Sequence, residues 1–453
     1  MTGLAVFPGF IDPHTHALDD LLHVDTASNV NYLMQGVTTV FVGNDGDGVA
    51  DRPKRVRAMR EQGTGTNVAF FAGHNRIRRD VIGQANRSAT AAEIAAMQQR
   101  LNEEMEAGAL GLSTGLFYTP GNFAATDEVI ALARVAAEFG GVYDTHLRSE
   151  SSAGQGLFAA IEEVVAVAER ARIPVHISHL KVLGEDLWGR SGDVVAMIDV
   201  ARNKGLMVTA NQYPYQASGT RFSSAIVPQW ARADSRQAML ARLGNPDLQA
   251  SLRQEAAENL RVRGGPDAML VTAADSPWRG MTLGDIARQT EQDVLDAAFD
   301  VIAAGDPSIA SFIMDPQDID AIAIQPWVMT GSDGSSGHPR KYGTYPQVYR
   351  DMVVSKDLIS VSQFSHRSAG QVADTFGLCD RGYLEKGRKA DIVVIDLDHY
   401  RPGATFESPA VLASGVVHAF VNGTHAIRDG HYTGALAGQV IQRGAKPGAT
   451  PKH

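Results

Sequence analysis

The feature that most limits the possible folds of this 453-residue chain is a repeated alternation of short apolar runs with helical patterns. Between the runs, apolar residues recur every three or four positions, most clearly at 90–107, 127–139, 156–171 and 192–204. Buried strands that alternate with helices indicate a parallel sheet with crossover helices. Eight strands favour an α/β fold with a closed (β/α)8 TIM barrel over an open doubly wound sheet, which usually has fewer strands. The runs, rich in Val, Ile, Phe and Thr, lie at 6–11, 38–42, 68–72, 109–113, 141–145, 174–178, 207–211 and 327–330.

Two further segments stand outside this alternation, as expected for a chain longer than the roughly 250–300 residues that one core serves. The segment 221–326, with helical patterns at 235–243 and 283–303, is predicted to be an insertion between strands seven and eight. Strand patterns at 390–397 and 416–421, followed by an Asn422-Gly423 turn, predict a small β-domain. The predicted organisation is a barrel at 1–378, a small C-terminal β-domain at 379–442 and a disordered tail at 443–453.

Composition excludes several classes of partner. The chain has 41 basic and 51 acidic residues, so its net charge of -10 argues against nucleic acid or an anionic membrane. No apolar run approaches the ~20 residues of a transmembrane helix, and the first twenty residues do not resemble a signal peptide. The one cysteine, Cys379, excludes an internal disulfide and is expected to be buried. We therefore predict a cytoplasmic protein that binds a small molecule. A homo-oligomer is compatible with this prediction.

Polar residues with metal-binding chemistry follow four of the runs. His14 and His16 follow the first run, and two histidines at this spacing on a strand end point to the same side. His146, His179 and Asp333 follow the fifth, sixth and eighth runs. Because the carboxyl ends of barrel strands meet at one face, these side chains are expected to lie together. Neutral imidazoles and carboxylates suit Zn²⁺, which lowers the pKa of bound water to about 7.

Each of these residues has a simpler interpretation when taken alone. A single H-x-H pair is a weak signal for a metal. His146 could be a hydrogen-bonded core histidine, and Asp333 could cap the helix that follows it. Chance placement of all five side chains at barrel strand ends is far less expected, so the pattern favours a metal site.

The same residues lie within longer motifs that cover nearly the whole chain. With them the sequence resembles the N-acyl-D-amino-acid deacylases, or D-aminoacylases, of the amidohydrolase superfamily. The first and last motifs are shared across that superfamily, whereas the contexts of Lys181, Tyr213 and Arg340 point to the D-aminoacylase branch. The motifs are PGFIDPHTH at 8–16, GHN at 73–75, THLR at 145–148, SHLK at 178–181, GRS at 189–191, YPY at 213–215, GSDG at 331–334, HPR at 338–340, GT at 343–344 and GRKADIV at 387–393.

The resemblance implies zinc-dependent hydrolysis of the amide bond of an N-acyl-D-amino acid, giving a carboxylate and a free D-amino acid. It assigns one or two Zn²⁺ ions to His14, His16, His146, His179 and Asp333, with Asp333 also moving the proton. It places Lys181, Tyr213 and Arg340 near the substrate carboxylate, for which arginine offers a two-pronged donor.

Without the resemblance, Lys181 and Arg340 would be interpreted as surface ion-pair partners and Tyr213 as a packed aromatic. His74 either lines the site or has a structural role. His338 and His366 lie off the metal positions and are predicted not to be ligands.

The chain departs from the family in two places. The family begins with a longer N-terminal segment that forms strands of the small β-domain, so we expect the N-terminal half of that domain to be missing. At strand two the family has Asn-Cys-Gly with the cysteine on zinc, whereas this chain has Asn44-Asp45-Gly46. Asp45 is therefore predicted to replace the cysteine as a ligand; the alternative is that it only caps a turn.

Three rival functions stay open. Hydantoinases and dihydroorotases bridge two metals with a carboxylated lysine at the end of strand four, but the segment 108–127 contains no lysine. A dipeptidase or lactam hydrolase could use the same ligands. The short N-terminus and the absent cysteine also motivate a catalytically inactive scaffold.

Overall fold

The computed structural model describes residues 3–443, and its strands group into a barrel and two smaller sheets. The predicted disordered tail at 443–453 lies outside the described residues, except for Arg443. The strands are β1 (Leu4–Pro8), β2 (Phe10–Asp12), β3 (Val37–Val42), β4 (Asn67–Phe70), β5 (Ala72–Gly73), β6 (Gly111–Gly115), β7 (Val142–His146), β8 (Val175–Ile177), β9 (Val208–Gln212), β10 (Ala217–Arg221), β11 (Met269–Val271), β12 (Ser308–Phe312), β13 (Val328–Thr330), β14 (Ile392–Asp396), β15 (Val416–Val421), β16 (Thr424–Arg428) and β17 (His431–Tyr432).

Helices connect the strands and cover the barrel. They are α1 (Leu18–Leu22), α2 (Val30–Leu33), α3 (Arg52–Gln62), α4 (His74–Ile82), α5 (Ala91–Glu106), α6 (Thr126–Glu138), α7 (Leu157–Ala171), α8 (Ser191–Asn203), α9 (Phe222–Ile226), α10 (Arg236–Leu243), α11 (Gln249–Val262), α12 (Leu283–Thr290), α13 (Val294–Ala304), α14 (Pro316–Ala323), α15 (Arg340–Val348), α16 (Val361–Ser368) and α17 (Gly370–Phe376). Short 3-10 helices lie at Gly121–Phe123, Glu185–Leu187, Gln229–Arg232, Pro246–Leu248 and Pro266–Ala268, and a π-helix at Tyr349–Ser355.

The predicted parallel barrel is present as two sheets, and the predicted third strand at 68–72 contributes one segment to each. One sheet has the order β2-β3-β4 and the other β5-β6-β7-β8-β9-β13, with every pair parallel. The predicted strand at 68–72 is divided into β4 and β5 at Phe71, whose N–H still donates to the Val42 carbonyl of β3. A parallel bridge between Thr15 and Gly334 joins the outer edges of the two sheets. Eight strand positions therefore surround one axis, as the TIM-barrel prediction requires.

The prediction of a single strand at 6–11 was wrong, because this segment is divided between two sheets. β1 pairs antiparallel with β14, whereas β2 enters the barrel beside β3. The break falls at Gly9, whose N–H donates to the Asp391 carbonyl at 2.7 Å. A Cβ at Gly9 would lie 2.2 Å from Thr38 Oγ1, so only glycine fits this close approach.

The small sheet unites the two ends of the described chain. Its order is β1-β14-β15-β16-β17, antiparallel throughout. The strand predicted at 416–421 is found with those bounds, and the predicted turn residue Asn422 has a φ of 50°. Phe7 on β1 is buried and packs against Phe10 of the barrel and Phe364 of α16. The sheet therefore caps the barrel through an apolar contact.

Between β9 and β13 the chain forms an additional layer with its own core. β10, β12 and β11 make an antiparallel sheet, and helices α9 to α13 cover it. The helical pattern at 283–303 is two helices rather than one, because Asp293 accepts a hydrogen bond from the Leu295 N–H and caps α13. The buried core of this layer includes Phe222, Ile226, Leu252, Leu283, Ile286, Val301 and Ile309.

Cys379 corrects one sequence prediction. It was expected to be buried, but its side chain is exposed in the turn after α17. Leu378, the residue before it, takes the buried direction instead and packs in the barrel core. Across residues 3–443 no helix combines the length and apolarity needed to cross a bilayer.

Candidate metal centre and active site

Six side chains meet where the barrel strands end, and all six were singled out from the sequence as metal ligands. The carboxyl ends of β2, β3, β7, β8 and β13, or the loops directly after them, supply these side chains, since the carboxyl ends of parallel strands lie on one face. Four of them, His14, Asp45, His179 and Asp333, each offer a ligand atom within 4.8 Å of the others. The full set is His14, His16, Asp45, His146, His179 and Asp333.

The Asp45 carboxylate lies at the centre of the cluster. Its Oδ1 is 3.5 Å from His14 Nε2, 3.4 Å from His179 Nε2 and 3.7 Å from His146 Nδ1. Its Oδ2 is 3.5 Å from His16 Nε2. One carboxylate thus faces four histidines from three strand ends, so it can serve one cation or stand between two.

Asp333 faces the first-strand histidines from the other side. Its Oδ1 is 3.1 Å from His16 Nε2 and 3.6 Å from His14 Nε2. The backbone N–H of Asp333 donates to the His14 carbonyl at 2.9 Å, which fixes the two loops together. The H-x-H motif and the last-strand aspartate therefore form one unit.

Left-handed backbone directs three of these side chains into the cluster. The φ angles are 55° at Asp45, 36° at His179 and 48° at Asp333. Such values are uncommon outside glycine and often mark functional positions, where the surrounding structure holds the strained residue. At strand two, Asn44 Nδ2 supplies this support by donating to Asp144 Oδ2 and to the Pro13 carbonyl, at 3.1 and 3.0 Å.

The donor set fits a transition-metal cation such as Zn²⁺. Both ring nitrogens of His14 and Oδ1 of Asp45 are buried, with no hydrogen-bond partner among residues 3–443. Buried polar atoms are rarely left unpaired, so this pattern calls for an explanation. Burial lowers the pKa of His14 to about 4, although Asp45 opposes the shift, so its imidazole is neutral and able to ligate. A cation bonded to these atoms would satisfy them together.

Arg340 forms an ion pair with Asp333 at 2.7 Å. Burial would raise the pKa of Asp333, but Arg340 and His179 outweigh it and hold that pKa well below its usual range. The Arg340 guanidinium also lies over the Tyr213 ring, 4.8 Å from its centroid, and donates to Ser335 Oγ. Arg340 thus lies between Asp333 of the metal cluster and Tyr213, a predicted substrate-binding residue.

Lys181 is likewise paired, with a residue that the sequence prediction missed. Its Nζ is 2.6 Å from Glu150 Oε1 and 2.7 Å from His179 Nδ1. Glu150 Oε1 is itself 3.1 Å from His179 Nδ1. Lys181 and these neighbours hold the Glu150 pKa well below its usual range, against the effect of burial. The only sequence signal for Glu150 was an acidic residue four positions after His146, in the loop that follows β7.

A cavity of about 520 Å³ opens over the cluster. It is lined by His16, Asp45, His146, His179 and Asp333. The three predicted substrate-binding residues, Lys181, Tyr213 and Arg340, line the same space, together with Phe117 and Tyr118 from the loop after β6. The Tyr213 hydroxyl is buried without a hydrogen-bond partner among the described residues. The arrangement can hold a cation and an organic anion side by side.

The remaining histidines singled out from the sequence lie elsewhere. His74 is buried at the start of α4, with Nε2 2.8 Å from Glu128, so it has a structural role. His338 lines the cavity, but its Nε2 lies 3.1 Å from the Ala217 carbonyl. His366 is exposed on α16. None of the three joins the metal cluster among the described residues.

Comparison with known proteins identifies the family. The sequence profile of the amidohydrolase family matches residues 1–426. The chain belongs to the amidohydrolase family. This amidohydrolase is 31% identical to a D-aminoacylase of Alcaligenes xylosoxydans xylosoxydans, over 98% of this chain and 89% of the relative. It is also 31% identical to an N-acyl-D-aspartate deacylase of the same organism, over 98% of this chain and 86% of the relative.

A solved structure resembles this amidohydrolase over nearly its whole length. It is an N-acyl-D-glutamate deacylase from Bordetella bronchiseptica, complexed with zinc and a phosphonate inhibitor that mimics the tetrahedral intermediate. The TM-score is 0.82 at 31% sequence identity, covering 97% of this chain and 90% of the other. The family and the fold predicted from the sequence are thereby confirmed.

Proposed function

We propose that this amidohydrolase is a zinc-dependent deacylase that hydrolyses the amide bond of N-acyl-D-amino acids. The observation that carries the proposal is one cavity that joins the histidine and aspartate cluster to Lys181, Tyr213 and Arg340. The relatives described above act on N-acylated D-amino acids and include a zinc complex. The products are a carboxylate and a free D-amino acid.

The cluster residues can hold one or two zinc ions, and the chemistry follows from that. Bound zinc would polarise the amide carbonyl and lower the pKa of water. Asp333, which forms an ion pair with Arg340, is proposed to accept a proton from the attacking water and to pass it to the leaving nitrogen. Water oxygen bonds to the carbonyl carbon, the C–N bond breaks, and the transferred proton completes the amine.

Lys181, Tyr213 and Arg340 are proposed to hold the substrate α-carboxylate. Glu150 and Asp333 already pair with the two cations, but each cation has further N–H donors that can face the cavity. The unpaired Tyr213 hydroxyl adds a donor between them. A carboxylate fixed there orients the scissile amide toward the cluster, which contributes to catalysis through positioning.

Asp45 is proposed to be the strand-two metal ligand in place of the family's cysteine. The central position of its carboxylate, within 3.7 Å of four histidine nitrogens, supports this. A carboxylate is a harder donor than a thiolate, so the replacement of cysteine by aspartate should lower the affinity for zinc and increase the tolerance for Mn²⁺ or Co²⁺.

Hydrolysis of paired N-acetyl-D- and N-acetyl-L-amino acids tests the proposed function. Purified full-length protein is assayed for metal content and for amine release, with His14→Ala and His366→Ala as a matched pair. We expect activity with the D forms, its loss in the His14 variant and its retention in the His366 variant. Equal rates with the D and L forms, or hydrolysis of cyclic ureides alone, would reject the proposal and favour a rival amidohydrolase reaction. Zinc-loaded protein inactive on every substrate would favour the scaffold.

A further inference from the structure

A buried carboxylate, that of Glu150, lies behind two histidines of the metal cluster. Each of these rings directs one nitrogen to Asp45 and the other to Glu150. His179 has Nε2 3.4 Å from Asp45 Oδ1 and Nδ1 3.1 Å from Glu150 Oε1. His146 has Nδ1 3.7 Å from Asp45 Oδ1 and Nε2 3.8 Å from Glu150 Oε2. Glu150 therefore faces both rings from the side opposite Asp45.

The backbone around Glu150 holds its side chain in this place. The Glu150 carbonyl accepts a hydrogen bond from the Leu183 N–H at 2.9 Å, which joins the loop after β7 to the loop after β8. The preceding residue, Ser149, donates from Oγ to the carbonyls of Ser151 and Ala153, at 3.2 and 2.8 Å. A buried carboxylate is costly unless its oxygens are paired, so the contacts of Glu150 require an explanation.

Glu150, His146 and His179 together have the composition of a further cation site. One ligand atom from each lies within 4.8 Å of the others. However, the ammonium group of Lys181 already lies among them, with Nζ 2.6 Å from Glu150 Oε1 and 2.7 Å from His179 Nδ1. A metal ion in this space would meet that positive charge. The cation that fits here is therefore the lysine itself.

The contact between Lys181 and His179 conflicts with metal binding by His179. The ammonium group has three donors and no acceptor, so Nδ1 must accept its hydrogen bond and the ring hydrogen lies on Nε2. Ligation of a metal by Nε2 requires the hydrogen on Nδ1 instead. Nδ1–H and the ammonium group would then be two donors facing each other. Of these two neighbours of Nδ1, only Glu150 can accept its hydrogen.

We propose that Glu150 is a positioning residue for His179, and that it accepts the Nδ1–H hydrogen bond when Nε2 binds zinc. Lys181 then turns an N–H into the cavity, toward the substrate carboxylate. A carboxylate behind a metal-binding histidine fixes both the ring hydrogen and the ring orientation. This inference rests on the zinc-binding part of the proposed function. One exchange of hydrogen bonds would thus couple metal binding to carboxylate binding.

Zinc affinity, measured without substrate by competition with a chromophoric chelator, tests the proposal. Glu150→Leu should bind zinc about 10–100-fold more weakly than the wild type. Glu150→Gln should lose less, because its amide oxygen can still accept from Nδ1–H. Lys181→Met should bind zinc as tightly as the wild type or more tightly, since it removes the competing donor and leaves Glu150 to His179.

A matched control and a kinetic readout separate this role from a structural one. Glu128 forms another buried pair with a histidine, 2.8 Å from His74 Nε2, and Glu128→Gln should keep the zinc affinity. At saturating zinc, Glu150→Gln should regain most of its kcat, because its defect lies in holding the metal. Lys181→Met should instead raise KM for N-acetyl-D-amino acids by about tenfold or more at the same zinc concentration.

Several outcomes would overturn the proposal. These are wild-type zinc affinity in a folded Glu150→Leu variant, and weaker zinc binding in both Glu150→Leu and Lys181→Met, which would make the ion pair structural. Equal losses in the Leu and Gln variants would assign the effect to charge and overturn the hydrogen bond. If circular dichroism shows that Glu150→Leu does not fold, the directions of the change in Glu150→Gln and Lys181→Met decide the matter.

The failure of this inference is distinct from the failure of the proposed function. A protein that binds zinc but hydrolyses no N-acyl-D-amino acid would reject the deacylase, while the zinc affinities of the variants would still test Glu150. A protein that binds no zinc would reject both.

Discussion

At the scale of single residues, Asp333 has two proposed roles, metal binding and proton transfer. We predict that Asp333→Asn keeps most of its zinc but loses about 100-fold or more in kcat, because an amide oxygen can still ligate but cannot accept the proton. Zinc content and steady-state rates of the same preparation provide the measurement. Asp275→Asn, on the exposed insertion surface, is the control. Parallel loss of zinc and activity would show that Asp333 is only a ligand.

Asp45 allows a sharper test, since the residue can be removed or restored to the family's cysteine. After dialysis against a mild chelator, Asp45→Ala should retain less zinc than the wild type, because the central carboxylate is gone. Asp45→Cys should hold zinc more tightly and stay active, since thiolate is the softer donor. Metal analysis and activity before and after dialysis measure both. If Asp45→Ala binds metal as tightly as the wild type, Asp45 is a turn residue.

The sequence indicated which residues would gather, but not how they would pair. The ends of regular strands lie at predictable places, so the histidines, Asp45 and Asp333 could be placed at one face from spacing and family motifs. The contacts of Lys181 with Glu150 and His179 depend on loops that approach only in the folded chain. Loop conformation has no simple period, so no local pattern predicted these contacts.

At the scale of elements, the joint between β1 and β2 depends on Gly9. We predict that Gly9→Ala lowers the free energy of unfolding by about 1–3 kcal/mol, because the new Cβ would overlap the Thr38 side chain. Chemical denaturation measures the change, and a Thr38→Ala background should restore part of it. Gly192→Ala in α8 is the control, with no atom within 4 Å of the added Cβ, and should be neutral or stabilising. If Gly9→Ala leaves the free energy of unfolding unchanged, the contact between Gly9 and Thr38 can adjust to an added Cβ, and the prediction is wrong.

Regular elements were predicted better than their interruptions. The predicted helices at 90–107, 127–139, 156–171 and 192–204 agree with α5 to α8 within one residue at each end. The amphipathic period and caps such as Thr90, which accepts from the Glu93 N–H, are local and therefore visible in sequence. The break at Gly9 was not visible, because its cause is a contact with Thr38 on a different strand.

At the scale of the whole molecule, the metal cluster ties together loops from five barrel strands. We predict that removing metal with a chelator lowers Tm by at least about 3 °C, because a cation that binds only the folded state stabilises it by mass action. Added zinc should restore Tm, and Asp45→Ala should respond less than the wild type. Differential scanning calorimetry with and without zinc measures the shift. An unchanged Tm in a preparation shown to have lost its metal would contradict the prediction.

The small sheet also governs the order in which the molecule can be completed during synthesis. Residues 4–8 form β1, but their hydrogen-bond partners are residues 392–396 of β14. A chain emerging from the ribosome therefore carries an unpaired edge strand, with the apolar ring of Phe7, until β14, which follows the last barrel strand in sequence, has been translated. Pairing over such a sequence separation is slow and exposes the chain to aggregation. Molecular chaperones that shield extended apolar segments would thus have a long period of engagement at residues 4–8, because these are translated well before their partner strand.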